Sequence, residues 1–178
     1  MENLEELRYP IGPFVPSASY NPDQLTTWIA AIRSVPLLFD HCIENLDEAQ
    51  LNTPYRPGGW NIIQVVHHVA DSHMNAYIRL KLALTEQQPT VSPYDENLWA
   101  ELPDVQLVPL NVSVTLLHAL HRRWSTLLEH LTEADWTRTY YHPGNKEYMP
   151  IWQMTNQYSW HGHHHARQIL ALRKRQGW

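Results

Sequence analysis

Four long stretches of this sequence repeat their apolar residues with the period of an α-helix, and this restricts the fold more than any other feature. The stretches run from about residue 22 to 46, 62 to 84, 114 to 131 and 150 to 176. Apolar residues three and four positions apart share one helix face, so each stretch presents a face that another helix must cover. The alternation that β-strands require is nearly absent. The pattern predicts an all-α four-helix bundle that forms a single domain over residues 1–178.

Proline-rich segments separate the predicted helices. Residues 1–20 are predicted to form an extended arm that lies over the core. Residues 86–111 are predicted to be a long crossover with a turn of helix near 96–102, and residues 140–148 a loop or small hairpin. Pro36 is expected to kink or split the first helix, because proline lacks the N–H of an i→i−4 hydrogen bond.

Polar residues at the expected helix ends support these boundaries. The segments Asn61–Gln64 and Thr132–Asp135 have the spacing of capping boxes. A short turn of helix is predicted at Asp47–Leu51. Ser113 is predicted to cap the third long helix, and Gly177 to end the fourth.

Composition and charge argue against several classes of function. Hydrophobic residues make up 43% and charged residues 17%, as in an ordinary globular protein. The net charge of -5 argues against nonspecific nucleic-acid binding. No apolar run is long enough to span a membrane, and the acidic N-terminus does not resemble a signal peptide. Cys42 is the only cysteine, which we interpret as a packed core thiol in a reducing, cytoplasmic compartment.

Four histidines lie within five residues near the C-terminus, inside the fourth predicted helix. His161 and His165 are four residues apart, which places both on one helix face with Cβ atoms about 6 Å apart. The apolar residues on this face are Ile151, Met154, Tyr158, Ile169 and Leu172. A metal ion would satisfy two such core-facing imidazoles at once. His163 and His164 fall off the face and are predicted to be solvated or to support the ligands.

A third ligand is expected from the second helix. His67 and His68 lie on different faces of that helix, and because both faces carry apolar residues, periodicity alone does not choose between them. Three imidazoles with an open position are typical of a catalytic metal site, and zinc is the expected ion, with nickel as an alternative. The histidines predicted to lie at the surface or in loops, with no metal role, are His41, His73, His118, His121, His130 and His142.

Four motifs together resemble the YfiT branch of the DinB-like superfamily. They are Gly58–Asn61, Val65–Asn75, Pro93–Glu96 and Trp160–His165. The resemblance extends over nearly the whole chain, and the combination is far more specific than a single histidine pair. It implies a four-helix bundle, typically a homodimer, in which three histidines bind one divalent ion per subunit.

Carried over residue by residue, the resemblance makes His68, His161 and His165 the metal ligands. Gly162 departs from the pattern within the cluster and could loosen the helix by about 1 kcal/mol. Members of the branch are described as metal-dependent hydrolases, and the branch includes transferases that use the low-molecular-weight thiol bacillithiol. These activities define the hypotheses for this chain.

The first hypothesis is thiol S-transfer. A divalent ion in an open site favours the thiolate form of a bound thiol, which can attack an electrophile. Trp60 and Trp160, next to the metal candidates in sequence, could form the wall of such a site. A cationic side chain should orient an anionic thiol, and the candidates are Arg79, Lys81, Arg122 and Arg123.

The alternative is hydrolysis, in which the ion lowers the pKa of water toward about 7. This reaction needs a general base, and Asp71 lies one turn from His68. We favour for Asp71 the role of orienting an imidazole or capping over that of a base. A second alternative is a non-catalytic metal-binding stress protein.

Overall fold

Four long helices form the bundle that the apolar periodicity predicts. The computed structural model describes residues 3–178, and Met1 and Glu2 of the predicted arm lie outside that range. The elements are α1 (Leu4–Arg8), α2 (Pro22–Ile43), α3 (Glu48–Leu51), α4 (Ile62–Thr85), α5 (Glu96–Trp99), α6 (Pro103–Leu107), α7 (Leu110–Glu129), α8 (Glu133–Trp136), β1 (Thr139–His142), β2 (Glu147–Pro150) and α9 (Ile151–Gln176). None of the helices in the described range has the length and apolar character needed to cross a membrane.

The long helices pack as a square in which consecutive helices are not always neighbours. Helix α2 packs against α7 and α9, and α4 packs against the same two helices. Helices α2 and α4 therefore lie on one diagonal and α7 and α9 on the other. Neighbouring helices α4 and α9 carry the histidines singled out in the sequence.

Most predicted helix ends are confirmed. Asn61 and Gln64 form a reciprocal capping box at the start of α4, and α9 ends at Gly177 in a left-handed conformation, with φ 74°. The prediction for Ser113 is wrong, because α7 begins at Leu110 and Ser113 lies inside it. There its hydroxyl contacts Nδ1 of His67 at 2.8 Å.

The connecting segments contain more structure than the prolines suggest. The predicted extended arm includes the short helix α1, whose N-cap Asn3 accepts a hydrogen bond from the N–H of Glu5. The crossover holds two helices, α5 and α6, rather than one turn. Its first part is bonded to the β1–β2 hairpin, since the N–H of Val91 donates to the carbonyl of Tyr141 at 3.0 Å. The crossover and the hairpin therefore close one side of the bundle together.

Pro36 does not split helix α2, which runs without a break from Pro22 to Ile43. The carbonyl of Ile32 would accept the N–H that proline lacks. It accepts Nδ1–H of His121 instead, at 2.6 Å. A side chain of α7 thus replaces the missing backbone bond.

The core consists of two apolar clusters separated by a layer of histidines. One cluster includes Ile32, Leu80, Trp124 and Met154, and the other is built around residues such as Phe39, Val66 and Ile169. Along α4 and α9 a histidine lies between the residues of one cluster and those of the other, and on α7 a histidine directly follows Leu120, where the first cluster begins on that helix. These residues are His73 on α4, His121 on α7 and His161 on α9.

Candidate metal centre

Three histidines from two neighbouring helices converge at the edge of the histidine layer. His68 comes from α4, and His161 and His165 come from successive turns of α9. One nitrogen of each ring lies within 4.8 Å of one nitrogen of the other two. The ring centroids of His161 and His165 are 4.6 Å apart, and that of His68 lies 4.9 Å from His165 and 5.4 Å from His161. The structure therefore brings together the three residues that the resemblance implied.

The donor set fits a divalent ion. Tetrahedral Zn–N bonds of about 2.0–2.1 Å place the nitrogens about 3.3 Å apart, so the rings need only small movements to reach that geometry. His68 is only 8% exposed, and no hydrogen bond joins its ring nitrogens to another residue in the range 3–178. A nearly buried imidazole without a protein partner is costly unless something else satisfies it. A metal ion would do so.

Gln168 orients one of the three rings. The Nε2 group of Gln168 donates to the carbonyl of Arg8 at 2.9 Å and to Nε2 of His164 at 3.0 Å. Its Oε1 is therefore an acceptor, and it faces Nδ1 of His165 at 2.9 Å. His165 must carry its proton on Nδ1, which leaves the lone pair of Nε2 for a metal.

A histidine outside the candidate ligand set, His73 of α4, contacts the ring of His161. Nε2 of His73 lies 3.0 Å from Nδ1 of His161, and Nδ1 of His73 lies 2.9 Å from Nε2 of His121. His73 and His121 are 0% and 1% exposed, so their predicted surface or loop location is wrong. His73 lies four residues after Val69 and His121 four after Leu117, so each shares a face with the apolar series of its helix, which was the available signal for burial.

Burial keeps the clustered imidazoles neutral. It lowers the pKa of His68 and of His161 well below the ordinary value, and the neighbouring rings add to the effect. It lowers the pKa of His165 to about 4, against the opposing effect of its hydrogen bond with Gln168. Neutral imidazole is the form that binds metal, so the site is ready for an ion at neutral pH.

The other histidines of the two motifs face elsewhere. His67 contacts Ser113 of α7, and the ring is turned away from the cluster. Nε2 of His163 contacts Ser34 and the carbonyl of Ala31 on α2, both at 3.2 Å. His164 is buried between Trp160 and the amide of Gln168. His164 thus supports a ligand indirectly, and His163 is partly buried rather than solvated.

The cluster opens onto a cleft of about 410 Å³. Trp60 forms part of its wall, with its ring 4.7 Å from that of His68. Trp160 is not among the lining residues of this cleft and packs behind His164 instead. Two arginines that the sequence reasoning missed, Arg8 and Arg56, also line the cleft. Nothing in the sequence links these arginines to the histidines, because they come from α1 and from the turn before α4.

A smaller cavity of about 190 Å³ lies on the other side of His161. Arg79 lines it and is only 8% exposed. Its guanidinium donates to the carbonyl of Ser92 at 2.9 Å and has no carboxylate within 4.0 Å among the described residues. Glu96, at the start of α5, lines both this cavity and the cleft. Cationic and anionic side chains therefore both line the two spaces beside the histidine cluster.

Four residues that the sequence suggested for chemistry lie elsewhere. Asp71 lines neither cavity, and its carboxylate makes no hydrogen bond to an imidazole within residues 3–178. Lys81 and Arg123 both lie over the ring of Tyr77, and Arg122 lines neither space. Of the four cations considered, only Arg79 borders the histidine cluster.

Comparisons with known proteins identify relatives that match nearly the whole chain. A family model described as the DinB superfamily matches residues 31–169. A protein of Geobacillus thermodenitrificans named "Putative metal-dependent hydrolase" is 47% identical over 178 residues, covering 100% of both chains. A protein of Bacillus cereus (strain AH820) with the same designation is 48% identical over 175 residues, which are 98% of this chain and 100% of that one.

A solved structure matches as well. It is YfiT from Bacillus subtilis, described as a probable metal-dependent hydrolase with an unusual four-helix bundle topology. The two share 45% sequence identity and superpose with a TM-score of 0.94, over 97% of this chain and 99% of the other. Sequence, fold and relatives lead to one assignment: this chain belongs to the DinB superfamily.

Proposed function

We propose that this protein is a metal-dependent enzyme whose ion is held by His68, His161 and His165. The observation that carries the proposal is the convergence of three neutral imidazoles on an open cleft. Zinc is the expected ion and nickel the alternative. When bound, the ion would supply Lewis acidity that lowers the pKa of a thiol or water molecule beside it.

We further propose that the first substrate is an anionic low-molecular-weight thiol of the bacillithiol type. Arg8 and Arg56 line the cleft, and Arg79 lies behind His161, so three cations surround the cluster in a protein of net charge -5. Arg79 in particular is nearly buried without a carboxylate partner, and a buried guanidinium gains most from an anion supplied by a ligand. Trp60 offers an aromatic surface against which an electrophile can pack.

Hydrolysis is the second candidate, and Glu96 favours it. Its side chain lines both spaces beside His161 and could accept a proton from an attacking water molecule. Asp71, the base considered from the sequence, lines neither space. The designations of the relatives also favour this reaction.

One pair of variants separates the two reactions. Zn²⁺-loaded protein is assayed for conjugation of bacillithiol to a chromogenic electrophile and for cleavage of a panel of amide and ester substrates. Under thiol transfer, Arg79→Met should raise the KM for the thiol at least tenfold, while Glu96→Gln has little effect. Under hydrolysis, Glu96→Gln should lower kcat by about 10²-fold or more. Lys81→Met is the matched control, since Lys81 lies two residues from Arg79 and packs on Tyr77.

Removal of the metal tests the proposal as a whole. A chelator should abolish whichever activity is present, and His68→Ala should do the same. Thiol transfer is rejected if the loaded protein conjugates bacillithiol no faster than the uncatalysed reaction. Blank results in both assays, with Zn²⁺ still bound, would favour the non-catalytic metal-binding alternative.

A further inference from the structure

A line of three histidines, two buried and one partly buried, crosses the bundle and ends at the candidate metal centre. It begins at the carbonyl of Ile32 on α2, which lies 2.6 Å from Nδ1 of His121. Nε2 of His121 lies 2.9 Å from Nδ1 of His73, and Nε2 of His73 lies 3.0 Å from Nδ1 of His161. In each of the three contacts, Nδ1 of a histidine faces either the Ile32 carbonyl or Nε2 of the neighbouring histidine.

The chemistry of the first acceptor sets the direction of every bond in the line. A carbonyl oxygen can only accept, so His121 must carry its proton on Nδ1. A neutral His121 then has a lone pair on Nε2 and accepts from Nδ1–H of His73. By the same reasoning Nε2 of His73 accepts from Nδ1–H of His161. His73 and His121 are neutral because they are 0% and 1% exposed and make their ring contacts to a carbonyl and to other imidazoles, none of which stabilises a buried positive charge as a carboxylate would.

Two unusual residues make the line possible. Pro36 lies four residues after Ile32 and has no N–H, so it leaves the Ile32 carbonyl without its helical partner. Gly162 lies next to His161, and a Cβ atom there would be 3.1 Å from Cε1 of His73. Glycine therefore provides the space that the His73 ring occupies beside α9.

We propose that His73 and His121 are positioning residues that hold His161 in the tautomer with its proton on Nδ1 and its Nε2 lone pair directed to the metal. The proposal deepens the proposed metal centre and rests on His161 being a ligand there. Gln168 performs the same task for His165 with a single amide. The two candidate ligands on α9 are therefore oriented independently. Gln168 of α9 itself orients His165, whereas groups on α4, α7 and α2 orient His161.

The tautomers can be read directly in the metal-free protein. Histidine in water favours the proton on Nε2, so the pattern proposed here is the reverse of the default. Long-range ¹H–¹⁵N correlation spectra of the native, metal-free protein at pH 7.5 should show His73, His121 and His161 all protonated on Nδ1. Protonation of His161 on Nε2 would overturn the proposal. This measurement needs neither a variant nor an active enzyme, so it does not depend on which reaction the protein catalyses.

Variants of His121 test the effect on metal binding. His121→Leu removes the acceptor for His73, so His161 should populate both tautomers, and the Kd for Zn²⁺ should rise about 10- to 100-fold. His121→Gln keeps a donor for the Ile32 carbonyl and an acceptor for His73, and should restore the Kd to within a few-fold of the native value. Affinities are measured by competition with a chromogenic chelator, and circular dichroism confirms the helix content of each variant.

His163→Gln is the matched control. His163 also reaches a carbonyl of α2, that of Ala31 at 3.2 Å, but makes no onward contact with a candidate ligand. Its replacement should leave both the His161 tautomer and the Zn²⁺ affinity unchanged. Native Zn²⁺ affinity in a folded His121→Leu protein, or an equal loss in His163→Gln, would show that the line has no specific role.

Discussion

Asp71 illustrates how a single side chain departs from the role that its position in the sequence suggests. It lies one turn from His68, yet it lines neither cavity beside the histidines. Partial burial raises its pKa to about 6, and the nearby charge of Asp104 adds to the rise. Because its charged form is disfavoured in the folded state, the Asp71 carboxylate is expected to affect the free energy of unfolding. It is not expected to act in the candidate metal centre, which it does not line.

The raised pKa predicts a pH-dependent stability difference. Between pH 4 and pH 6 the unfolded chain releases the Asp71 proton before the folded chain does, so the folded state loses stability as the pH rises through this window. Asp71→Asn removes this loss. Relative to the native protein, the variant should gain about 1 kcal/mol between pH 4 and pH 7.5, a value reduced because the side chain is partly exposed.

Urea denaturation of both proteins in the presence of a chelator measures this difference. Asp104→Asn is a useful second variant, because it should lower the pKa of Asp71 and recover part of the gain. A stability difference that does not vary between pH 4 and pH 7.5 would show that the Asp71 carboxylate titrates normally.

At the scale of the elements, Gly162 determines how closely α9 approaches α2. A Cβ atom at this position would lie 2.6 Å from Cγ2 and 3.0 Å from Cγ1 of Val35. The cost of about 1 kcal/mol expected for glycine inside a helix is therefore offset by close helix packing. The same position separates His161 from His163, so the spacing of the helices and the placement of the candidate ligand depend on one residue.

A double-mutant cycle tests this packing. Gly162→Ala should destabilise the protein by about 1–3 kcal/mol, because the new methyl group overlaps Val35. Val35→Ala removes the overlapping methyl groups, so the double variant should be more stable than the sum of the single effects predicts. Thermal and urea denaturation of the four proteins give the coupling energy. Additive effects would mean that the approach of α9 to α2 is not limited by this contact.

Helices were predictable where their sequences carry local information. The apolar periodicity, the Asn61–Gln64 capping box and Gly177 define α4 and α9 without reference to other segments. The start of α7 was not predictable, since Ser113 is a good N-cap residue that is instead used by His67 from another helix. The unbroken α2 was missed for a similar reason, because the group that replaces the missing bond at Pro36 comes from α7.

For the site, the sequence could supply residue types and spacing but not the surrounding contacts. The i,i+4 pair on α9 was evident, whereas the choice of His68 over His67 came from the family resemblance. Arg8 and Glu96 were missed as parts of the site, because tertiary contacts alone bring α1 and α5 to the cleft. The helical period indicates that His73 faces the core, but its hydrogen-bond partners cannot be identified until the opposite helices are known.

At the scale of the whole molecule, the histidine layer separates two apolar clusters. Hydrophobic burial stabilises each cluster, whereas the layer between them depends on hydrogen bonds and, in the proposed function, on an ion. An ion held by α4 and α9 would join two neighbouring helices at the middle of the bundle. Metal binding should therefore be coupled to the stability of the entire fold.

This coupling predicts that Zn²⁺ raises the melting temperature. At a free Zn²⁺ concentration one hundred times the Kd, the stabilisation should be about 2.7 kcal/mol. His68→Ala should abolish the shift, whereas His130→Ala should not, because His130 is exposed and its ring contacts the carbonyl of Thr126 in the last turn of α7, away from the histidine cluster. Differential scanning calorimetry with and without a chelator gives the comparison.

Cys42 provides an internal reporter for the same effect. Its thiol is fully buried, donates to the carbonyl of Ala166 at 3.5 Å, and has a pKa that burial raises to about 12. A thiol reagent should therefore react only when the fold opens, and Zn²⁺ should slow the reaction. Labelling of the native protein as fast as that of the unfolded chain would contradict this account.

The homodimer implied by the resemblance stays a prediction, which light scattering on the metal-loaded protein can test.

The hydrogen bond between the Gln168 amide and the carbonyl of Arg8 has a consequence for the beginning of the chain. Helix α1 contributes no candidate ligand, and because none of its residues is buried it is not part of the core. Yet its last carbonyl holds the amide that in turn orients His165. Proteolytic trimming of the first nine residues would leave the four long helices and all three candidate ligands in place. It would nevertheless lower the affinity for the ion, because His165 would lose part of its support. The amount of metal that the purified protein retains would therefore indicate whether its N-terminal segment is intact.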